Sequence, residues 1–196
     1  MASISLKYKS KSGNLTAPGD VDPGAMIPLA STTGNSTATY IEFTNIPANY
    51  EHLQIRFMVR NTWGINAREE IAMRFNSDTA TNYSYHGLEG DGSSASANGS
   101  ATQTFMGMGV LGGDSNTSGI FSIGIIDILD YANTNKYKTA RSITGLDANG
   151  SGWLWMRSGL WRSTDAINTI RLYSANGQNL KTYSHFALYG IKRAGA

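Results

Sequence analysis

The sequence predicts an all-β protein: a two-sheet antiparallel β-sandwich, jelly-roll-like, with an extended N-terminal arm. Three observations predict it. Only 15% of the 196 residues are charged, against roughly 25% in ordinary soluble chains, and Ser, Thr, Asn and Gly fill the difference. Apolar residues make up 40%, enough for a core. From Thr39 onward, short apolar runs alternate with Gly, Asn, Ser and Asp clusters, the spacing of a sandwich or barrel. Thr and aromatic side chains suit a pleated surface, while Gly and Asn supply the positive φ that turns require.

Residues 1–35 read as the arm and 36–196 as the sandwich. Ile4, Leu6 and Tyr8 alternate at the start of the arm and are its candidate contacts with a neighbour. Three of the four prolines follow, in Pro18-Gly19, Asp22-Pro23-Gly24 and Pro28. Proline fixes φ and removes a donor, so this stretch is extended or irregular. The same pattern also fits an edge strand and a loop across one end of the sandwich.

Within the sandwich, about ten strands are expected, including 38–43, 52–60, 70–75, 83–87, 103–110, 120–129, 137–145, 152–161, 168–174 and 182–191. The clearest is 52–60, where Leu53, Ile55, Phe57 and Val59 alternate with Gln54, Arg56, Met58 and Arg60. In 120–129 the phase slips: Phe121, Ile123 and Ile125 are odd, Ile126 and Ile128 even. A β-bulge near 124–126 returns both sets to the core, and a strand buried on both faces needs none. Residues 90–102 are low in complexity and read as a long exposed loop, and 112–119 as a second one.

Several function classes fall away. A net charge of +2 gives no basic face for nucleic acid. The absence of cysteine removes disulfides and thiolate metal sites. Lys7, Lys9 and Lys11 precede no apolar run, and no stretch approaches the roughly 20 apolar residues that span a bilayer, so neither export nor membrane insertion is expected.

The search for chemistry yields little. Glu69 and Glu70 are adjacent and point to opposite faces of a strand, so they are not a glycosidase pair. Asp127 and Asp130 read as edge and turn residues. His52, His86 and His185 sit in separate runs, with no nucleophile elbow and no zinc spacing. Asp20 and Asp22 alternate before a glycine turn but lack the further oxygens of a calcium loop. No cofactor, metal or catalytic residue is expected. The most suggestive group is Trp153, Trp155 and Trp161. Trp153 and Trp155 share a strand face, with Leu154 and Met156 on the other, so both faces are apolar. The indoles fit a core between the sheets, a subunit interface, or a platform for sugar rings.

Two dense turn motifs stand out. Asn76-Ser77-Asp78 with Thr81-Asn82 is rich in side chains that bond their own backbone and closes 70–75 onto the next strand. Ser163-Thr164-Asp165 before Ala166-Ile167 fits the cap of a single helical turn.

These segments carry a resemblance. Residues 74–84, RFNSDTATNYS, resemble the RFNGDTGxNYS stretch of small structural proteins of tailed-phage virions, the cyanophage-type group described as tail-fibre-like or minor structural proteins. Residues 159–170, GLWRSTDAINTI, are similar to the later GxWxSTxAIxxI segment of that group, and 186–191, FALYGI, to its closing FxLYGI. The likeness runs from about residue 38 to 191. It departs at Ser77, where the family pattern has Gly, and it does not cover the arm.

The resemblance implies a non-enzymatic virion protein, located on the capsid surface or the tail. The leading expectation is a capsid decoration or cement protein: a homo-oligomer, a trimer first, seated on the major capsid protein with the arm over a neighbour. An arm pairing with a foreign strand edge adds backbone hydrogen bonds without a large core. The length leaves no room for a fibrous shaft. The alternatives are a tail-fibre or receptor-binding head recognising host-surface glycan, and, behind it, a glycan-degrading virion enzyme.

Overall fold

The computed structural model describes residues 25–65 and 67–193. The candidate arm contacts Ile4, Leu6 and Tyr8, and the Asp20 and Asp22 carboxylates, lie outside the described residues. Among the described residues there are twelve strands and no helix: β1 Met26–Thr33, β2 Tyr40–Phe43, β3 His52–Val59, β4 Arg68–Phe75, β5 Tyr83–Gly90, β6 Ala95–Gln103, β7 Met106–Gly112, β8 Ser122–Leu129, β9 Lys138–Asp147, β10 Gly152–Trp161, β11 Ile170–Ser174 and β12 His185–Ile191.

They make two antiparallel sheets: eight strands in the order β1-β12-β3-β8-β9-β10-β5-β6, and four in the order β2-β11-β4-β7. The chain crosses between sheets at β1–β2, β2–β3, β3–β4, β4–β5, β6–β7, β7–β8, β10–β11 and β11–β12, so it winds around one shared core. The hairpins β5–β6 and β9–β10 are inserted into this winding and widen the large sheet beyond β8. β1 lies within the segment read as arm or edge strand, and it pairs with β12 at the edge of the large sheet.

β3 follows the expected alternation. Leu53, Ile55, Phe57 and Val59 are buried, while Gln54, Arg56 and Met58 face outward. On the core face of the same sheet, Phe57 stacks on its cross-strand partner Phe186 with ring centroids 5.9 Å apart. β7 is buried along its whole length, at the edge of the small sheet and packed against β8, β9 and β10 of the widened one. Met106, Met108 and Leu111 join the main core, and Val110 joins a second cluster with Leu146 and Trp155. A register shift in the β4–β7 pairing leaves β7 backbone groups for β9 to satisfy. The Ser142 hydroxyl donates to Met108 O at 2.6 Å, and Val110 N donates to Thr144 Oγ1 at 3.0 Å. Gly109 permits this at φ +146°, where a Cβ would meet the Thr144 side chain at 2.3 Å.

Three expectations need correction. First, β8 carries no bulge: its registers with β3 and β9 run without a shift. Ile126 and Ile128 point into the core, and Ile123 and Ile125 point out. The phase slip in the sequence therefore marks a strand that is apolar on both faces but covered on one. Second, part of the expected loop 90–102 is strand β6, hydrogen-bonded to β5; its small polar residues carry no hydrophobic period, so no strand signal was present to read. Third, residues 162–169 form no helical turn; the Ser163 hydroxyl instead accepts the Asp165 N–H at 3.1 Å, an ST-turn.

The two turn motifs meet in space. Asn76 Oδ1 accepts from Asn168 N at 2.9 Å and Thr169 N at 3.2 Å, and its Nδ2 donates to Ala166 O at 2.8 Å. Asn76 and Ser77 both occupy the left-handed region, at φ 50° and 57°.

Candidate binding face

Antiparallel register aligns residues of neighbouring strands into rows, and on the outer face of the large sheet three rows can be read across β3, β8, β9, β10, β5 and β6. The first is polar: Gln54, Asp127, Arg141, Ser158, His86 and Gly99. The second is Arg56, Ile125, Ile143, Met156, Leu88 and Ala97, and the third Met58, Ile123, Gly145, Leu154, Gly90 and Ala95. Two apolar rows thus lie open beside a polar one.

The polar row is hydrogen-bonded at one end. Gln54 Nε2 donates to Asp127 Oδ1 at 2.9 Å, Arg141 Nε to Asp127 Oδ2 at 3.2 Å, and Arg56 Nε to Gln54 Oε1 at 2.9 Å. Together the first two rows border a hollow of about 830 Å³. Seven large apolar side chains on this face, Met58, Leu88, Ile123, Ile125, Ile143, Leu154 and Met156, are between 36% and 60% exposed. Contiguous apolar surface of this kind marks a docking site in soluble proteins. Full burial of one such side chain contributes roughly 1.5–3 kcal/mol. Covering seven half-exposed ones therefore yields on the order of 5–10 kcal/mol gross. Association costs about 4–15 kcal/mol, of the same order, so a single contact through such a face is weak by itself and gains only when several act together.

The tryptophans lie on the opposite face. Trp161 is 1% exposed, in the core, and Trp155, at 6%, packs against Val110 and Leu146. Neither offers an indole face to a sugar or a partner. Trp153 is half-buried, with the Arg68 guanidinium 5.1 Å above its ring. The sequence showed that both faces of β10 are apolar. The face left open is that of Leu154 and Met156, and the signal for it was the matching surplus of isoleucine in β8.

Inside the widened part of the sheet, Arg157 organises a charged cluster that sequence reasoning missed. Its Nη2 lies 2.6 Å from Glu89 Oε1 and 3.6 Å from Glu70 Oε1, and its Nη1 donates to Asn98 Oδ1 at 2.6 Å. The guanidinium sits 4.7 Å from the ring centroids of both Tyr85 and Trp155. Burial pushes the Glu70 carboxyl up to about 7, against the opposing pull of Arg157. Glu69 points the other way, to Asn176, as its adjacency to Glu70 requires. The two carboxylates that converge, Glu70 and Glu89, have the guanidinium between them, so this is an ion cluster holding β4, β5, β6 and β10 together.

A second polar group lies at a corner, where ligand atoms of Glu51, His52 and Asp130 fall within 4.8 Å of one another. His52 Nδ1 already accepts from Asp130 N at 3.0 Å and Lys136 is ion-paired with Asp130, which makes the group a tied-down turn. His86 belongs to the polar row, and His185 is exposed near the β12 end. No family model, curated protein or solved structure matches the chain.

Proposed function

We propose that this chain is a non-enzymatic structural protein of a tailed-phage virion, a capsid decoration protein that docks through the outer face of its large sheet. The observation that carries the reading is the pair of apolar rows on that face. They run from β3 across β8 and the two inserted hairpins, so the insertions extend the outer face as well as adding Tyr83, Ala140 and Trp161 to the core. Modest affinity per copy, multiplied over a lattice of identical sites, suits a protein that stabilises an assembled shell by binding only the assembled state.

Two further facts support it. Without β5, β6, β9 and β10, the remaining strand orders, β1-β12-β3-β8 and β2-β11-β4-β7, are those of a jelly roll, an architecture frequent in viral capsid proteins. Two of the three segments that resemble virion proteins, 74–84 and 159–170, are tied to each other through Asn76 and Trp161.

Quantitative mass spectrometry of purified particles tests the reading. A ratio to the major capsid protein near parity, or at a simple large fraction, is expected. A handful of copies per particle would place the protein at the tail.

The second reading, a receptor-binding head, rests on the polar row. Gln54, Asp127, Arg141 and His86 beside an apolar floor offer the mixture of donors, acceptors and flat apolar surface that a glycan takes. Host-surface glycan bound by the wild type and lost on Arg141→Ala would favour it.

A further inference from the structure

The two edges of the large sheet are built differently. β1 carries Pro28 and a register shift between Pro28 and Ala30, two devices that discourage a foreign strand. β6 carries no proline and no charge in its nine residues, and although its register with β5 shifts between Ser100 and Gln103, the ladder is continuous from Ala95 to Ser100. Nor does β6 serve the core. Seven of its residues are exposed, two are half-buried, and none belongs to a hydrophobic cluster. Ordering nine small residues costs entropy that one ladder offsets poorly.

We propose that β6 pairs antiparallel with β6 of a second copy of this chain, joining two eight-stranded sheets across a two-fold axis. Three features fit a second copy as the occupant. The strand, ASANGSATQ, is neutral and small throughout, so pairing with itself brings no like charges together and sets Ser, Asn, Thr and Ala opposite one another. The apolar rows of the outer face end at this edge, Leu88 beside Ala97 and Gly90 beside Ala95, so the two-fold lays the rows of both copies end to end as one platform. The edge is also preorganised: Asp91 Oδ1 accepts from Ser93 N at 2.9 Å and Ser94 N at 2.7 Å, fixing the β5–β6 turn before any partner arrives. Pairing of like edges gives a dimer, which takes the place of the threefold closure expected from the sequence. The pairing is independent of what the outer face docks on.

The absence of cysteine makes the test clean. Full-length variants Ala95→Cys, Ala97→Cys and Ala101→Cys are oxidised singly and in mixtures, with Ser31→Cys on β1 and Leu6→Cys in the arm as comparisons. The expected result is a strong intermolecular disulfide from one β6 position, or from one symmetric pair of them, and none from Ser31→Cys. Sedimentation velocity is expected to show a monomer–dimer equilibrium that Ala97→Lys weakens about tenfold, with Tm unchanged. A monomer at every concentration, a threefold assembly, or a dimer indifferent to Ala97→Lys would overturn the proposal. A disulfide between Leu6→Cys and Ala97→Cys would assign the edge to the arm and overturn it equally.

Discussion

Trp161 Nε1 donates to Asp78 Oδ2 at 2.7 Å across 83 residues of sequence. The same indole stacks on Tyr83, centroids 6.3 Å apart at 15°, and tilts against Phe75 at 5.5 Å. The Tyr83 hydroxyl in turn accepts Phe75 N at 3.1 Å. Segments 74–84 and 159–170, two of the three that carry the resemblance, are therefore the two halves of one joint. Burial alone would raise the Asp78 carboxyl, but bonds from Asn82, Trp161 and Ala80 N outweigh it and hold the carboxyl below the usual carboxylate range.

Breaking this joint is expected to be costly. Asp78→Ala should destabilise the fold by about 1.5–3 kcal/mol, because it removes a bond to a charged acceptor and orphans a buried donor. Denaturant unfolding of Asp78→Ala, Trp161→Phe and the double variant should show a coupling of about 1 kcal/mol or more. The depressed carboxyl also sets a sign: its contribution is present above the ordinary aspartate range and is lost as pH falls through the lower folded-state value. Asp78→Asn should therefore flatten the acid limb of the stability curve.

Ser77, held at φ 57°, occupies the position where the resembled pattern has Gly. A left-handed L-residue costs roughly 1–2 kcal/mol, and Gly gives back part of that through its freer unfolded chain. Ser77→Gly should stabilise by about 0.5–1 kcal/mol, read as a rise in the denaturation midpoint at constant slope. A fall would mean that the serine side chain contributes more than its backbone costs.

Adjacent isoleucines of β8 should behave oppositely. Ile126 is fully buried, so Ile126→Ala should cost about 2–4 kcal/mol. Ile125 faces outward, so Ile125→Lys should change stability by no more than about 0.5 kcal/mol while abolishing incorporation into particles. Calorimetry and particle assays on the two variants separate fold from docking.

The Glu70 carboxyl, raised to about 7 by burial, gives a second pH dependence. Between about pH 4.5 and 7 the folded state holds a proton that the unfolded chain has released, so this group's contribution declines as pH rises through that window. Glu70→Gln should remove the decline, leaving the variant more stable than wild type at pH 8 by on the order of 1–3 kcal/mol. Melting temperatures at pH 5, 6.5 and 8 check it.

Truncation has to respect β1. Removing residues 1–24 should leave the sandwich folded, with near-native thermal unfolding, and abolish incorporation into particles if the arm grips a neighbour. Removing 1–35 also strips β1 from β12, and should lower Tm as well. Unchanged incorporation after the shorter cut would refute a role for the arm.

The sequence by itself determined the class of fold, the alternation of β3, the limits of β10, and the presence of apolar residues on both faces of β8 and β10. Those follow from local periodicity, since side chains two apart must share a face. Periodicity does not say which face is covered. The tertiary structure decided that, because coverage depends on where the second sheet lies: the four-stranded sheet covers Trp155, Trp161 and Ile126, and leaves Ile125, Ile143 and Met156 in the open. It also decided that β6 is a strand, since small polar residues carry no period and the β5 ladder, with the Arg157–Asn98 bond, orders them. The convergence of Glu70 and Glu89 on Arg157 is equally a product of the winding, which brings three separate strands to one point.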